Sequence, residues 1–217
     1  MKPDNILLNY HNNGDSTLVV TATKIADIDN AVHLSKGQAI YATVGNVYWR
    51  SPEAQLGVGI SKPTDVFSFG LVVSSFSTCT RLYTHNVSSN STRIQCIHVM
   101  LRINILGFTQ EELQPDVDTG PQVMDRMIRY FGLVPDALFH NIPDQWRQIL
   151  QVLNDSYCNE ESLEPFSEWG QTVFPILGTD PNFEYLDSGF KRFIERMMSM
   201  DPDKRATVEE LLDDPWW

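Results

Sequence analysis

The chain has 217 residues, 42% of them hydrophobic, with a formal net charge of −12 and a pI near 4.7. That length and composition suit one well-buried globular core, and the acidic balance leaves no basic stripe to neutralise phosphates, which argues against a general nucleic-acid binder. No apolar run approaches the ~20 residues of a membrane helix, and the polar N-terminus carries no secretory signal.

Ile6-Leu7-Leu8 predicts a short buried strand, and Asn12-Asn13-Gly14-Asp15 is a strong turn signal. Thr17 to Ala26 supplies a second strand with Leu18, Val19, Val20 and Ile25 apolar. A hairpin of this size brings its outer ends together, so Asn5 on the approach and Asp27 at the exit are expected to face one small volume. As residue types they read as oxygen ligands of a hard cation such as Mg²⁺, whose shell phosphates and water would complete; alternatively Asp27, with Asp29, is an ordinary turn residue.

Lys62 to Val73 opens with helix-start chemistry, since Pro63 suits a first turn and Asp65 complements the helix dipole. The apolar run after it has no polar face, which predicts a helix buried in the core. Thr84 to Thr92 reads as a polar loop, and Ile94 to Leu106 as a helix or an irregular buried segment. Thr109 with Glu111 and Glu112 has the spacing to cap a short helix, and Pro115 to Pro121 reads as a loop. Val123 to Pro135 predicts an amphipathic helix with a glycine stop at Gly132 and a trailing proline. Trp146, Ile149, Leu150 and Leu153 follow helical spacing, whereas Asn154 to Gly178 reads as an insertion or variable loop. Thr207 and Glu210 stand at capping-box spacing for a last helix, with Val208, Leu211 and Leu212 expected to pack inward.

Several of these segments carry family motifs in order. Met1-Lys2-Pro3-Asp4-Asn5-Ile6-Leu7-Leu8 resembles the second half of the catalytic loop of eukaryotic protein kinases, in its serine/threonine form. Lys24-Ile25-Ala26-Asp27-Ile28-Asp29 resembles Lys-Ile-x-Asp-Phe-Gly, with Ile28 in place of phenylalanine and Asp29 in place of glycine. Val44-Gly45-Asn46-Val47-Tyr48-Trp49-Arg50-Ser51-Pro52-Glu53 resembles the end of an activation segment, with Asn46 at the family's threonine and Ser51-Pro52-Glu53 at Ala-Pro-Glu. Asp65-Val66-Phe67-Ser68-Phe69-Gly70 is similar to the start of the large lobe's central helix, and Phe190 to Thr207 resembles the kinase ending, a helix followed by Asp-Pro-x-x-Arg. The element around Phe131-Gly132 is nearest to the splicing-factor and cyclin-dependent groups, where this region docks partners and substrates.

The resemblance implies a mainly α (α+β) fold: a kinase C-lobe over 1–217, with an N-terminal β-hairpin and the N-lobe absent. Its parts would be 1–29 for catalytic and metal loops, 30–53 for the activation segment and 54–217 for the helical subdomain. By residue match it implies Lys2 on the phosphate side, Leu7 beneath adenine, and Asn5 and Asp27 as Mg²⁺ ligands, with ATP as nucleotide. Asp27, Gly45, Asn46, Ser51, Pro52 and Glu53 would mark the activation segment. Arg205 would pair with Glu53, and Asp65 would be a buried carboxylate deprived of its loop partner. Ser35, Tyr41 and Thr43 are candidate phosphorylation points. No His-x-Asp, Gly-rich loop or N-lobe lysine lies within these residues. The expectation is therefore a truncated serine/threonine kinase domain that transfers no phosphate as it stands, or alternatively a non-catalytic, pseudokinase-like scaffold. Its partner would be a protein substrate or a partner kinase, with no nucleic acid and no membrane.

An open top to the lobe would expose apolar surface and favour association. The three cysteines (Cys79, Cys96, Cys158) are far apart and read as buried or idle thiols of a reducing compartment. Acceptor patterns at Asn86, Asn90 and Asn154 read as accidental, the acidic runs 160–168 and 209–214 as solvated faces, and the location as cytoplasm or nucleus.

Overall fold

A computed structural model describes residues 1–12, 18–77, 105–109, 112, 117–159, 165–168 and 188–216. The expected turn at 13–15, the loop over 84–92, Cys79, Cys96, Asn86 and Asn90 lie outside them.

Strands β1 (Ile6–Asn12) and β2 (Leu18–Ile25) form an antiparallel pair, with Ile6 opposite Ile25 and Leu8 opposite Thr23. The register shifts between Asn9 and Tyr10, where Thr21 is the extra residue and its hydroxyl donates to the Asn9 carbonyl at 3.2 Å. The strand expected to be buried is not: Leu7 is 52% exposed, and Ile6 and Leu8 are only partly covered. A two-stranded sheet has no second layer of its own, so its apolar residues stay open unless something packs on them. Ile25, the last residue of β2, is exposed for the same reason, and Ile28 beyond the strand is exposed as well.

The core lies among the helices. Helix α1 (Pro52–Leu56) is buried throughout and starts on the Ser51 hydroxyl, which accepts from the Ala54 amide. Helix α2 (Lys62–Ser77) buries Val66, Phe67, Leu71 and Val72. A side chain at Gly70 would stand 2.6 Å from Met198 Sδ, so glycine there permits the close approach of α2 to the end of α5 (Ser188–Met197). Helix α3 (Thr119–Phe131) buries Val123, Met124, Met127 and Ile128 and stops at Gly132, φ +94°. It begins earlier than its apolar pattern suggests, because Asp118 caps it through the Gly120 amide and Pro121 falls in the first turn, where no amide is needed.

Helix α4 (Asp144–Asn159) runs six residues into the stretch read as an insertion, and Phe166 beyond it is buried in the core. Asn154 therefore lies in a helix, and Cys158 is a free, exposed thiol rather than a buried one. Helix α6 (Val208–Leu212) has both bonds of its capping box. Only Leu211 packs inward. Val208 (56% exposed) and Leu212 (69%) face out, since a helix of five residues turns few positions toward the core. The 209–214 run is not wholly solvated either: Asp214 is buried against Arg196, with Arg192 at 3.6 Å, and it accepts from the Trp216 amide. Trp216 stacks on Phe193 with ring centres 4.9 Å apart. Among the described residues no helix is long and apolar enough to cross a membrane.

Candidate nucleotide site and activation segment

The hairpin brings together two residues 22 positions apart. The Asn5 amide Nδ2 donates to Asp27 Oδ2 at 3.1 Å, and the Ala26 amide donates to the Asn5 carbonyl at 2.8 Å. Asp27 has φ +56°, the only positive φ outside glycine among the described residues. Aspartate adopts this left-handed conformation more readily than most side chains. The strained position is thus Asp27 itself rather than Asp29, the residue that stands at the family's glycine. Strain of this kind costs on the order of 1–3 kcal/mol and persists where surrounding contacts impose it.

Asp27 is exposed and Asn5 half-buried. Both offer hard oxygen donors, and their mutual bond leaves Asn5 Oδ1 and Asp27 Oδ1 for a ligand. That donor set fits Mg²⁺, which keeps several waters and accepts few protein ligands. Lys2 immediately precedes the 3-10 turn Pro3–Asn5, whose Asn5 amide bonds the Lys2 carbonyl at 3.1 Å. Leu7 opens outward from β1.

The segment after Asp27 is tied down at several points. Ile40 and Ile60 exchange both backbone hydrogen bonds, at 2.9 and 3.0 Å. Gly57, φ +74°, lies so close to Thr43 that a Cβ would stand 3.2 Å from its amide nitrogen. Arg50 closes the segment on itself. Its Nε and Nη2 donate to the Val44 and Gly45 carbonyls at 2.7–3.0 Å, and its Nη1 to Gln55 Oε1 at 3.3 Å. Partial burial lowers the Arg50 pKa, opposed by the charge of Asp118. The sequence reading gave Arg50 no role, because carbonyl acceptors leave no mark in side-chain pattern. Asn46 is occupied locally: its Oδ1 accepts from the Tyr48 amide at 3.0 Å and caps the 3-10 turn Val47–Trp49. Ser35, Tyr41 and Thr43 are exposed.

Glu53 and Arg205, 152 positions apart, form a bidentate pair at 2.7 and 3.1 Å with side chains 1% and 0% exposed. The Thr64 hydroxyl donates to Glu53 Oε1 at 2.7 Å, and Arg205 also donates to the Pro63 and Ser199 carbonyls. Every polar atom of the pair thus finds a partner, the condition under which a buried ion pair is tolerated. Burial alone would raise the Glu53 pKa. The bonds and charge of Arg205, with Thr64, outweigh it and hold the carboxyl below its ordinary range. Asp65 departs from expectation. It is exposed in the first turn of α2, so it is not a buried carboxylate and incurs no burial cost.

The family model described as "Protein kinase domain" matches residues 1–217. Among curated proteins the chain is 25% identical over 231 residues to the mouse (Mus musculus) dual specificity tyrosine-phosphorylation-regulated kinase 3. It is 23% identical over 218 residues to the human (Homo sapiens) protein of that name. Each match takes in all of this chain and 32% of the relative, so the chain spans about a third of their length. The chain belongs to the protein kinase family.

Proposed function

We propose that this member of the protein kinase family carries the metal and phosphate side of a serine/threonine kinase site. Asn5 and Asp27 would hold Mg²⁺, Lys2 would face the transferred phosphate, and Leu7 would lie under the adenine of ATP. The observation that carries this reading is the Asn5–Asp27 contact with Asp27 held at positive φ. Both residues sit at the positions where the family holds the metal ions that bridge ATP phosphates. When bound, Mg²⁺ supplies charge neutralisation for the phosphates. The chain's own part is to orient two oxygens through the hairpin and to keep the segment from Ile40 to Glu53 in one conformation through Arg50 and the Glu53–Arg205 pair. That segment would form the protein-substrate side.

No residue of this chain matches the aspartate that accepts the substrate hydroxyl proton. The 217 residues alone are therefore proposed to bind Mg²⁺–ATP weakly and to transfer no phosphoryl group at a useful rate. Lys2, in Lys-Pro-x-Asn, favours serine/threonine acceptors. The matched relatives are named as dual specificity kinases, which makes tyrosine the second acceptor to assay. The second reading, a non-catalytic binding or scaffold module, is favoured by one observation: the Asn46 side-chain oxygen is taken up by a local cap.

Calorimetric titration of ATP into the chain, with and without Mg²⁺, separates the two readings. Mg²⁺-dependent binding that Asp27→Asn abolishes supports the nucleotide site. No binding under either condition leaves the scaffold reading.

A further inference from the structure

The 3-10 turn Val47–Trp49, at the end of the activation segment, is held from α2 and from the stretch 105–109. From α2, the Ser68 hydroxyl donates to the Trp49 carbonyl at 2.7 Å. From the other stretch, the Phe108 ring lies against the Tyr48 ring, with centres 6.3 Å apart and planes at 54°. That separation is within the range where aromatic pairs attract. Ile105 and Leu106 anchor the stretch in the core, whereas Phe108 and Tyr48 are only partly covered.

Arg126 of α3 keeps Phe108 in place. Its guanidinium carbon stands 3.8 Å from the centre of the Phe108 ring. Its Nη1 donates to the Gly107 carbonyl, and its Nη2 donates to Glu112 Oε1 at 2.7 Å. Glu112 is fixed in turn by Thr109: its Oε2 accepts from the Thr109 amide at 2.7 Å, and its own amide donates to the Thr109 hydroxyl at 3.4 Å. One planar group thus meets a ring, a carbonyl and a carboxylate at once, which suits the fork of arginine and not the point charge of lysine. The Arg126 side chain is 18% exposed, and a cation over a ring is attracted more strongly where water is partly excluded.

We infer that Arg126 is a positioning residue for the end of the activation segment, acting through Phe108 on Tyr48. Arg50 directly follows the turn and bonds the Val44 and Gly45 carbonyls, so a displacement of Tyr48 passes into the exposed stretch from Val44 to Asn46. The consequence for a protein substrate rests on the function proposed above for that segment. The coupling itself requires no nucleotide.

The test uses the full 217-residue chain without nucleotide, its tyrosine rings ¹³C-labelled and the Tyr48 signals assigned through Tyr48→Phe. Arg126→Met keeps an apolar stem and removes the guanidinium. It should move the Tyr48 ring signals and speed trypsin cleavage after Arg50 about fivefold, since cleavage follows the population of the opened segment. Glu112→Gln, at a side chain 47% exposed, should move the same signals in the same direction by less, and it decides the matter if Arg126→Met does not fold. In a Phe108→Leu background Arg126→Met should add nothing at Tyr48, because residues acting in series are not additive. Thr207→Ala, destabilising but remote, should leave the Tyr48 signals in place. Unmoved Tyr48 signals in the Arg126 and Glu112 variants, a full added shift in the Phe108→Leu background, or an equal shift in Thr207→Ala would each overturn the proposal. With no nucleotide present, these outcomes are separate from the fate of the Asn5–Asp27 site, which the calorimetry reads.

Discussion

The two polar pairs that the chain brings together from distant positions are built in opposite ways. Glu53 and Arg205 are sealed in the helical core with every polar atom bonded. Asn5 and Asp27 meet by a single bond at the mouth of a hairpin that has no buried residue among those described. The first pair is held by its surroundings and holds them in turn, joining the start of α1 to the loop before α6. The second retains solvent access and spare oxygens, as a site that must admit a ligand requires. The contrast separates residues that keep the helical core together from residues proposed to do chemistry, although both kinds stand in family motifs.

The comparison breaks most sharply at Arg205. Arg205→Ala leaves Glu53 charged, buried and unpaired and should cost about 3–5 kcal/mol in urea unfolding. A smaller loss, below about 1 kcal/mol, would mean that the pair is hydrated rather than sealed. The same pair sets a pH dependence. The folded-state pKa of Glu53 lies below its unfolded value, so its contribution is fully present above the unfolded value of about 4.3 and is lost as pH falls through the folded one. Asp214 and Glu112 are lowered too and act in the same direction. Melting temperature followed from pH 7 into the acid range should fall below the ordinary carboxylate range, and less steeply in Glu53→Gln.

Gly70→Ala tests the same core from its packing side. The new methyl group meets Met198 and Met197 and should cost about 1–3 kcal/mol, as overpacked cores do. Thr207→Ala removes one half of the α6 capping box and should cost about 1 kcal/mol. At the other pole, Asp27→Asn keeps a side chain that tolerates positive φ and should change stability by less than about 0.5 kcal/mol. It should still remove any Mg²⁺-dependent nucleotide binding. A large loss of stability in that variant would place Asp27 with the structural pair.

Sequence pattern alone carried the hairpin, the apolar central helix, the amphipathic α3 with its glycine stop and the capping box of α6, because each is set by local periodicity or by residues within one turn. It also named Asn5, Asp27, Glu53 and Arg205 through family motifs. Only the tertiary structure decided burial. It left Leu7 and Asp65 open where a covered strand and a buried carboxylate were expected, turned Val208 and Leu212 outward, and buried Asp214 between two arginines of α5. It also gave Arg50 its carbonyl partners and fixed the positive φ on Asp27 rather than on Asp29. The physical reason is the same throughout: periodicity tells a residue which face of its element it lies on, and only the packing of other elements tells it whether that face meets protein or water.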